Sequence, residues 1–455
     1  MDRDALEALD KAALVELILQ LQARISTLEA ELARLRQPPK TPGNSSVPPS
    51  RGFKPNRAER RRTKRGARRG HVGSSRLRQA PDVVVRCRPT ACRGCGAALT
   101  ERDQRRVGRS QVLELPPLRP VVVEAWRYAA VCPSRGERTV AESPPGLEPE
   151  RAFGPGVETL LGYLHERHHL GYERLVEVCR DVFGLALSEG AVANALGRLA
   201  ERARPTYEAI GARVRASPVI GSDETSARVN GRNWWQWVYQ TPTASYHEIV
   251  PSRGAAVIGA FLRGAEPKVW SSDPWAPQVG TAAGVHQVCL SHQIRDLTYA
   301  VDADDLDGRV WAVAVRHTFG RGIRLHAERA DLSPEQFARR RVRVVKAAER
   351  LVFGPPLGVG VPWKLQQRYR KHWDDLFVFL ERDDLEPTNN ASERDLRNSV
   401  IHRKVTGGYR SAWGAEASAI LTTVLTTSRK RGENLWAALR AIAGPSPLDT
   451  AVMAR

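Results

Sequence analysis

Pro218-Val219-Ile220-Gly221-Ser222-Asp223 opens the stretch that decides the fold, and Lys268-Val269-Trp270-Ser271-Ser272-Asp273 closes it. Each is a short apolar run that ends in an acid. Between them, Asn230-Gly231 is a strong hairpin signal. The aromatic run Trp234–Tyr239 (WWQWVY) and Ser245–Val250 (SYHEIV) read as the next two strands, and Gly254–Leu262 (GAAVIGAFL) reads as a helix. The order β-β-β-α-β gives three antiparallel strands and a crossover helix. The helix returns the chain to a fourth strand that lies parallel to the first. Strands one and four are then neighbours, so Asp223 and Asp273 come together.

This is the ribonuclease H-like plan, in which paired acids bind divalent metal for phosphodiester chemistry. A third acid is expected from a later helix, and Thr388–Arg397 (TNNASERDLR) supplies it. Pro387 and Asn389 suit a helix start. Asn389, Glu393 and Arg397 fall at i, i+4 and i+8 on one face, a metal ligand flanked by phosphate-binding groups. Arg403, Lys404 and Arg410 extend the positive surface. The competing reading is a surface helix with an ordinary i,i+4 Glu–Arg pair. The tryptophans of the second strand could stack on a flipped base, but sheet packing is the preferred reading. His292 reads as the cap of a core turn rather than as a DNA-orienting group.

Working outward, Leu14, Leu21, Leu28 and Leu35 recur every seven residues, with Ile18, Ile25 and Leu32 in the other seam position. Ile mostly at a and Leu at d is the pairing of parallel dimers, and Pro38 and Pro39 end the helix. A Pro/Ser-rich linker follows. Residues 51–70 then carry ten Arg and Lys against one acid, Glu59, the composition of a disordered basic arm. Cys92-Arg93-Gly94-Cys95-Gly96 is a metal knuckle, and Cys132 and Cys87 could complete a four-cysteine zinc site. VVVRC (83–87) and VVVEAWRYAAV (121–131) read as strands of that small domain. Residues 153–205 read as helical, with Ser188 as N-cap and a loose helix-turn-helix signature. They contain His165-Glu166-Arg167-His168-His169, which fits the zinc-protease pattern H-E-x-x-H with Glu189 as a third ligand. That pattern is short enough to arise by chance, and a protease would leave the zipper, the arm and the paired acids unexplained.

Seventy Lys and Arg face fifty Asp and Glu, a net charge of +20. Such a surface favours a polyanion, with nucleic acid as the first candidate partner. Six cysteines in 455 residues are too few for a disulfide framework and suit a reducing cytoplasm. No run of 18 apolar residues exists, so no membrane-spanning helix is expected. The opening MDRDALEALD is acidic and does not read as a signal peptide.

Beyond these readings, the sequence resembles the bacterial DDE transposases of insertion-sequence family sixty-six. The likeness runs through the N-terminal zipper, the linker Asn44–Ser50 (NSSVPPS), the basic arm and the Cys knuckle. It continues through Asp223-Glu224-Thr225, the Trp-rich strand, Ser272-Asp273, Cys289-Leu290-Ser291-His292, and the Asn389–Arg397 block with its downstream Arg403-Lys404. The sequence departs at Arg135, where a second knuckle cysteine is expected, and at Pro274-Trp275-Ala276-Pro277.

The resemblance implies a multidomain, mixed fold. A coiled coil spans 1–37, the linker and basic arm 38–80, and a small Cys-containing β domain, zinc-finger-like, 81–145. A helical DNA-binding region spans 150–210. An α/β ribonuclease H-like core occupies 216–300 and 386–442, with a helical insertion at 301–385. Asp223, Asp273 and Glu393 are then the catalytic acids, holding two Mg²⁺ (or Mn²⁺) ions about 4 Å apart. Asn389, Asn390, Arg394, Arg397, Arg403 and Lys404 are the expected DNA contacts. Cys87, Cys92, Cys95 and Cys132 are the expected structural Zn²⁺ ligands. The implied partners are double-stranded DNA (element ends and target), a second copy of the chain or a larger homo-oligomer, and accessory proteins of the same element. No membrane is involved, and the implied location is the cytoplasm at the nucleoid. The alternatives are an inactive or domesticated DNA-binding regulator and, as a minor one, the zinc protease.

Overall fold

The computed structural model describes residues 10–36, 38, 40, 41, 44, 77–149, 151–303 and 306–448. The basic arm at 51–70 and all of the 44–50 motif but Asn44 lie outside the described residues. The described residues form two units. One takes its residues from 1–53, 122–178 and 186–455, the other from 54–121 and 179–185. Among the described residues no helix is long and apolar enough to cross a membrane.

In the larger unit, α1 (Lys11–Arg36) spans the predicted zipper. Val15, Ile18, Leu19, Leu21 and Ile25 stand exposed along it. A two-stranded hairpin, β1 (Ala129–Val131) and β2 (Arg138–Val140), follows. The longer strand expected over 121–131 is reduced to its last three residues, and 83–87 in the smaller unit carry no strand. Val83, Val84, Val85, Val121 and Val122 are exposed. β-branched residues favour strands only where a pleated surface is half buried, and among the described residues none covers these valines.

Two loops share one backbone pattern. In the smaller unit, the Cys92 N–H donates to Ala97 O (2.8 Å) and the Gly96 N–H to Cys92 O (2.9 Å). In the larger unit, the Cys132 N–H donates to Glu137 O (2.9 Å) and the Gly136 N–H to Cys132 O (2.8 Å). The second loop thus keeps the knuckle form with Arg135 where the first has Cys95.

The helical region comprises α2 (Pro155–Gly162), a π-helical turn Tyr163–Arg167, α3 (Tyr172–Phe183) and α4 (Glu189–Arg215). Ser188 caps α4 as expected, its side chain accepting from the Ala191 N–H. The helix does not stop at Pro205. It runs to Arg215 because Tyr207, Ile210 and Val214 are buried beyond the proline, and that burial offsets the lost backbone bond.

Strands β3 (Val219–Val229), β4 (Arg232–Thr241), β5 (Ala244–Val250), β6 (Val269–Ser272) and β7 (Val285–Val288) form one mixed sheet in the order β5-β4-β3-β6-β7. The three meandering strands are antiparallel. The crossover helix α5 (Ala255–Leu262) leads to β6, which pairs parallel to β3, and β7 adds parallel to β6. Trp237, Tyr239 and Trp270 are fully buried, which bears out sheet packing for the centre of the aromatic strand.

After a short turn α6 (Ala276–Val279), the chain forms α7 (Leu290–Ala303), α8 (Leu306–Ala327), α9 (Pro334–Val352) and α10 (Val361–Lys371). These helices enclose a core of Trp311, Phe319, Tyr369, Phe377 and Phe379. Ser333 and Gln336 cap α9 reciprocally. The segment between Asp273 and Glu393 is thus mostly helical, as expected.

Three helices complete the unit: α11 (Asn390–Thr406), α12 (Ala412–Lys430) and α13 (Leu435–Ala443). α12 solves the problem of the edge strand β5. Thr423 Oγ1 accepts from the His247 N–H (2.9 Å), and Thr427 Oγ1 both accepts from the Ser245 N–H and donates to Ser245 O (3.1 Å each). Two threonines one turn apart therefore satisfy an edge that would otherwise invite another strand.

Gly408 brings the loop after α11 onto β3. It sits at φ +109°, and a Cβ there would lie 2.5 Å from the Arg228 carbonyl oxygen. Gly408→Ala is expected to lower the unfolding free energy by about 2–3 kcal/mol, read as an earlier midpoint in urea.

Candidate active site

The sheet register places two acids side by side. Val219, Ile220 and Gly221 of β3 pair with Val269, Trp270 and Ser271 of β6. Continuing by two residues sets Asp223 level with Asp273. Ser272 of β6 pairs with Val288 of β7, so the next step sets Asp273 level with Cys289. Asp223, Asp273 and Cys289 thus stand level on three neighbouring parallel strands. Asp273 and Cys289 follow the last residues of β6 and β7, whereas β3, expected from the sequence to end at its acid, runs on to Val229 at the hairpin.

Burial, together with the carboxylates of Asp273 and Glu224, pushes the Asp223 carboxyl well above the usual range. Glu393 comes from the first turn of α11 and faces the same point. Its Oε1 lies 3.2 Å from Arg295 Nη2 and 3.6 Å from His292 Nε2. The other nitrogen of His292, Nδ1, stands 2.8 Å from Asp273 Oδ1. Both atoms are buried, and the two groups form an ion pair. Burial pulls the His292 pKa down, but the Asp273 carboxylate and the Cys289 sulfur outweigh it and raise it to about 11.

The structure therefore brings Asp223, Asp273 and Glu393 to one locus, as the strand order and the helix spacing lead one to expect. His292 is not a turn cap: it bridges two of the three acids, a role sequence reasoning missed. The Cys-x-x-His spacing at the head of a helix was the available signal, since it puts both side chains on one face.

Asn389 is buried. Its Nδ2 donates to Ser222 O (2.6 Å), and its Oδ1 accepts from Ser392 Oγ (2.6 Å). It pins the start of α11 onto β3 instead of facing outward. Gly221 lies under this junction: a Cβ there would run first into Gln240 Nε2, and would sit tightly against Ser392 Oγ (3.1 Å) and Asn389 Oδ1 (3.2 Å). Asn390, Arg394, Arg397 and Lys404 are exposed on α11, and Arg403 is half-buried with Nη1 donating to Ser226 Oγ.

Asp395, on the opposite face of α11, is buried among Ser245, Arg429 (3.2 Å) and Lys430 (2.9 Å). The Pro274–Pro277 segment also gains a role. Arg253 pairs with Glu224 (2.7 Å) and lies over the rings of Trp275 (4.0 Å) and Trp235 (4.5 Å). Gln278 joins Glu224, Ser222 and Trp270. The loop after Asp273 is thereby fastened beside the acids.

The histidines of 165–169 form no protease site. His165 and Glu166 lie in a π-helical turn, and His169 lies beyond it at φ +62°. The Glu166 carboxylate is buried on Ser418 Oγ (2.7 Å), and Glu189 is exposed. The one group of three or more metal-ligating side chains within reach of a single ion, among the described residues, is Asp273, Cys289 and His292. Cys87, Cys92, Cys95 and Cys132 are free thiols. Cys92 accepts from the Gly94 and Cys95 N–H groups, which hold its pKa below the usual thiol value.

A mixed sheet thus sets two acids level on adjacent strands, and a helix delivers a third. The profile of the Transposase IS66 family matches residues 151–417, more than half of the chain, and the match contains all three acids. The chain belongs to that family. A stretch of 73 residues is 38% identical to the uncharacterized protein y4jO of Sinorhizobium fredii, covering 16% of this chain and 23% of that protein.

Proposed function

We propose that this chain is a DNA transposase that cuts insertion-sequence ends and joins them to target DNA, through a ribonuclease H-like core with Asp223, Asp273 and Glu393 as its catalytic acids. The observation that carries this reading is the convergence of those carboxylates from β3, β6 and α11. Their fit to a divalent cation rests on chemistry: hard oxygen donors suit Mg²⁺ or Mn²⁺, and Asp223 is crowded by like charge that a cation relieves. Bound metal would supply Lewis-acid polarisation of the scissile phosphate and activation of the attacking hydroxyl.

The chain's own residues hold the acids in place. Asn389 and Ser392 fix α11 to β3, Arg295 and His292 aim Glu393, and the Arg253–Trp275 contact fixes the loop after Asp273. Asn390, Arg394, Arg397 and Lys404 offer an exposed positive row for the DNA backbone beside the acids. Asn389 is better assigned to positioning than to DNA contact. Two element ends require at least two protomers, and the exposed Ile and Leu seam of α1 suits a parallel dimer. The histidine cluster supports no protease.

The test is strand transfer with DNA carrying the element's ends. Joined products in Mg²⁺ or Mn²⁺, with none in EDTA, are the expected result. Binding without cutting in any metal would favour a regulatory descendant instead. Arg394→Ala and Arg397→Ala are each expected to lower the slope of log K against log salt by about one, without changing sequence preference. Fluorescence anisotropy at several salt concentrations measures both.

A further inference from the structure

We propose that Asp273, Cys289 and His292 form a second metal site, for a soft divalent cation of the zinc class, which withdraws Asp273 from the catalytic acids and so makes zinc an inhibitor of the enzyme. The inhibitory half rests on the reading of Asp273 as a catalytic acid. The binding half stands without it.

The donors are one carboxylate oxygen, one thiol sulfur and one imidazole nitrogen, all within 4.8 Å of one another. Sulfur and nitrogen are poor ligands for Mg²⁺ and good ones for Zn²⁺. Phosphodiester chemistry on oxygen ligands does not itself call for a thiol, and the buried Cys289 stands beside an acid. His292 is 8% exposed, and its Nδ1 stands 2.8 Å from Asp273 Oδ1, so an ion between them would replace the ion pair that the two groups now make with each other.

The surroundings match those of metal-bound histidines. Ligating imidazoles commonly have a carboxylate near their second nitrogen, and His292 Nε2 lies 3.6 Å from Glu393 Oε1 and 3.4 Å from Arg295 Nη1. Cys289 Sγ accepts the backbone N–H of Asn389 at 3.1 Å, which orients the sulfur. The strand register holds Asp273 and Cys289 level, and the head of α7 brings His292 over them. Three protein ligands leave a fourth position for water. Binding releases the protons of the imidazolium and the thiol.

The experiment uses the full chain, stripped of metal and titrated with Co²⁺ and then Zn²⁺. Wild type is compared with Cys289→Ser and His292→Gln, and folding of each is checked by circular dichroism. The expected result is a sulfur-to-cobalt charge-transfer band displaced by zinc. Each variant should bind one equivalent fewer, or bind that equivalent at least about 100-fold more weakly. An equivalent kept in both variants and lost on Cys92→Ser would assign the zinc to the knuckle and overturn the site. In the joining assay, zinc should suppress wild-type strand transfer, and added Mg²⁺ should restore it. Zinc bound through Cys289 without any suppression would overturn the competition for Asp273. A chain that joins no strands in Mg²⁺, yet loses its zinc equivalent in Cys289→Ser, would sink the transposase reading and leave the site standing.

Discussion

Glu393→Gln will abolish strand transfer while leaving DNA binding at least as tight as in wild type. The substitution keeps the size of the side chain and an oxygen that can accept from Arg295, now 3.2 Å away. It removes the negative charge that makes the third member of the acid cluster. The loss falls on stabilisation of charge at the reacting phosphate, so the expected drop is about 10³-fold or more, or about 4 kcal/mol. Labelled element ends incubated with Mg²⁺ and run on a denaturing gel measure it. A mobility shift on the same DNA reports binding. Equal joining by the two proteins would remove Glu393 from the site.

The second large effect concerns an acid that never meets substrate. Asp395 lies on the far side of α11 from the active site and accepts from Ser245 Oγ while pairing with Arg429 and Lys430. Lys430 is itself mostly buried, its side chain 12% exposed, with Nζ donating to Gln240 Oε1 and Thr241 O. Asp395→Ala leaves that ammonium without its counter-charge, which costs about 3–5 kcal/mol when one partner of a buried pair is removed. The same contacts tie α11 to β5 and α12, so Glu393 loses its footing as well. Chemical denaturation should show the lost stability, and joining activity should fall below the loss expected from the unfolded fraction alone. A variant with unchanged stability would show that the network contributes nothing net.

Much of this site is legible in the sequence. The alternation of strand and turn from Pro218 to Asp273 fixes which strands are neighbours. Neighbouring parallel strands with acids at level register positions leave those acids little choice but to meet, although β3 runs on past its acid to Val229. Glu393 follows from helix spacing and a proline-led start. Asn389 was assigned to DNA by its place on the helix face, and the assignment misses that its amide is spent on Ser222 and Ser392. Spacing along one helix cannot reveal what another strand takes from it. Arg253 and Asp395 are invisible for the same reason, since each acts through partners far away in the chain, and His292 carries a spacing signal that does not name its partners. The valine runs at 83–87 and 121–131 fail in the opposite direction. Local preference for a strand is present there, but no neighbouring surface converts it into one.

The loop at Cys132–Gly136 matters beyond its own residues. It repeats the hydrogen bonds of the Cys92–Gly96 loop although Arg135 occupies the place of the second thiol. Its form is therefore kept by main-chain hydrogen bonds without a second thiol. The same shape then presents a guanidinium where its counterpart presents a sulfur.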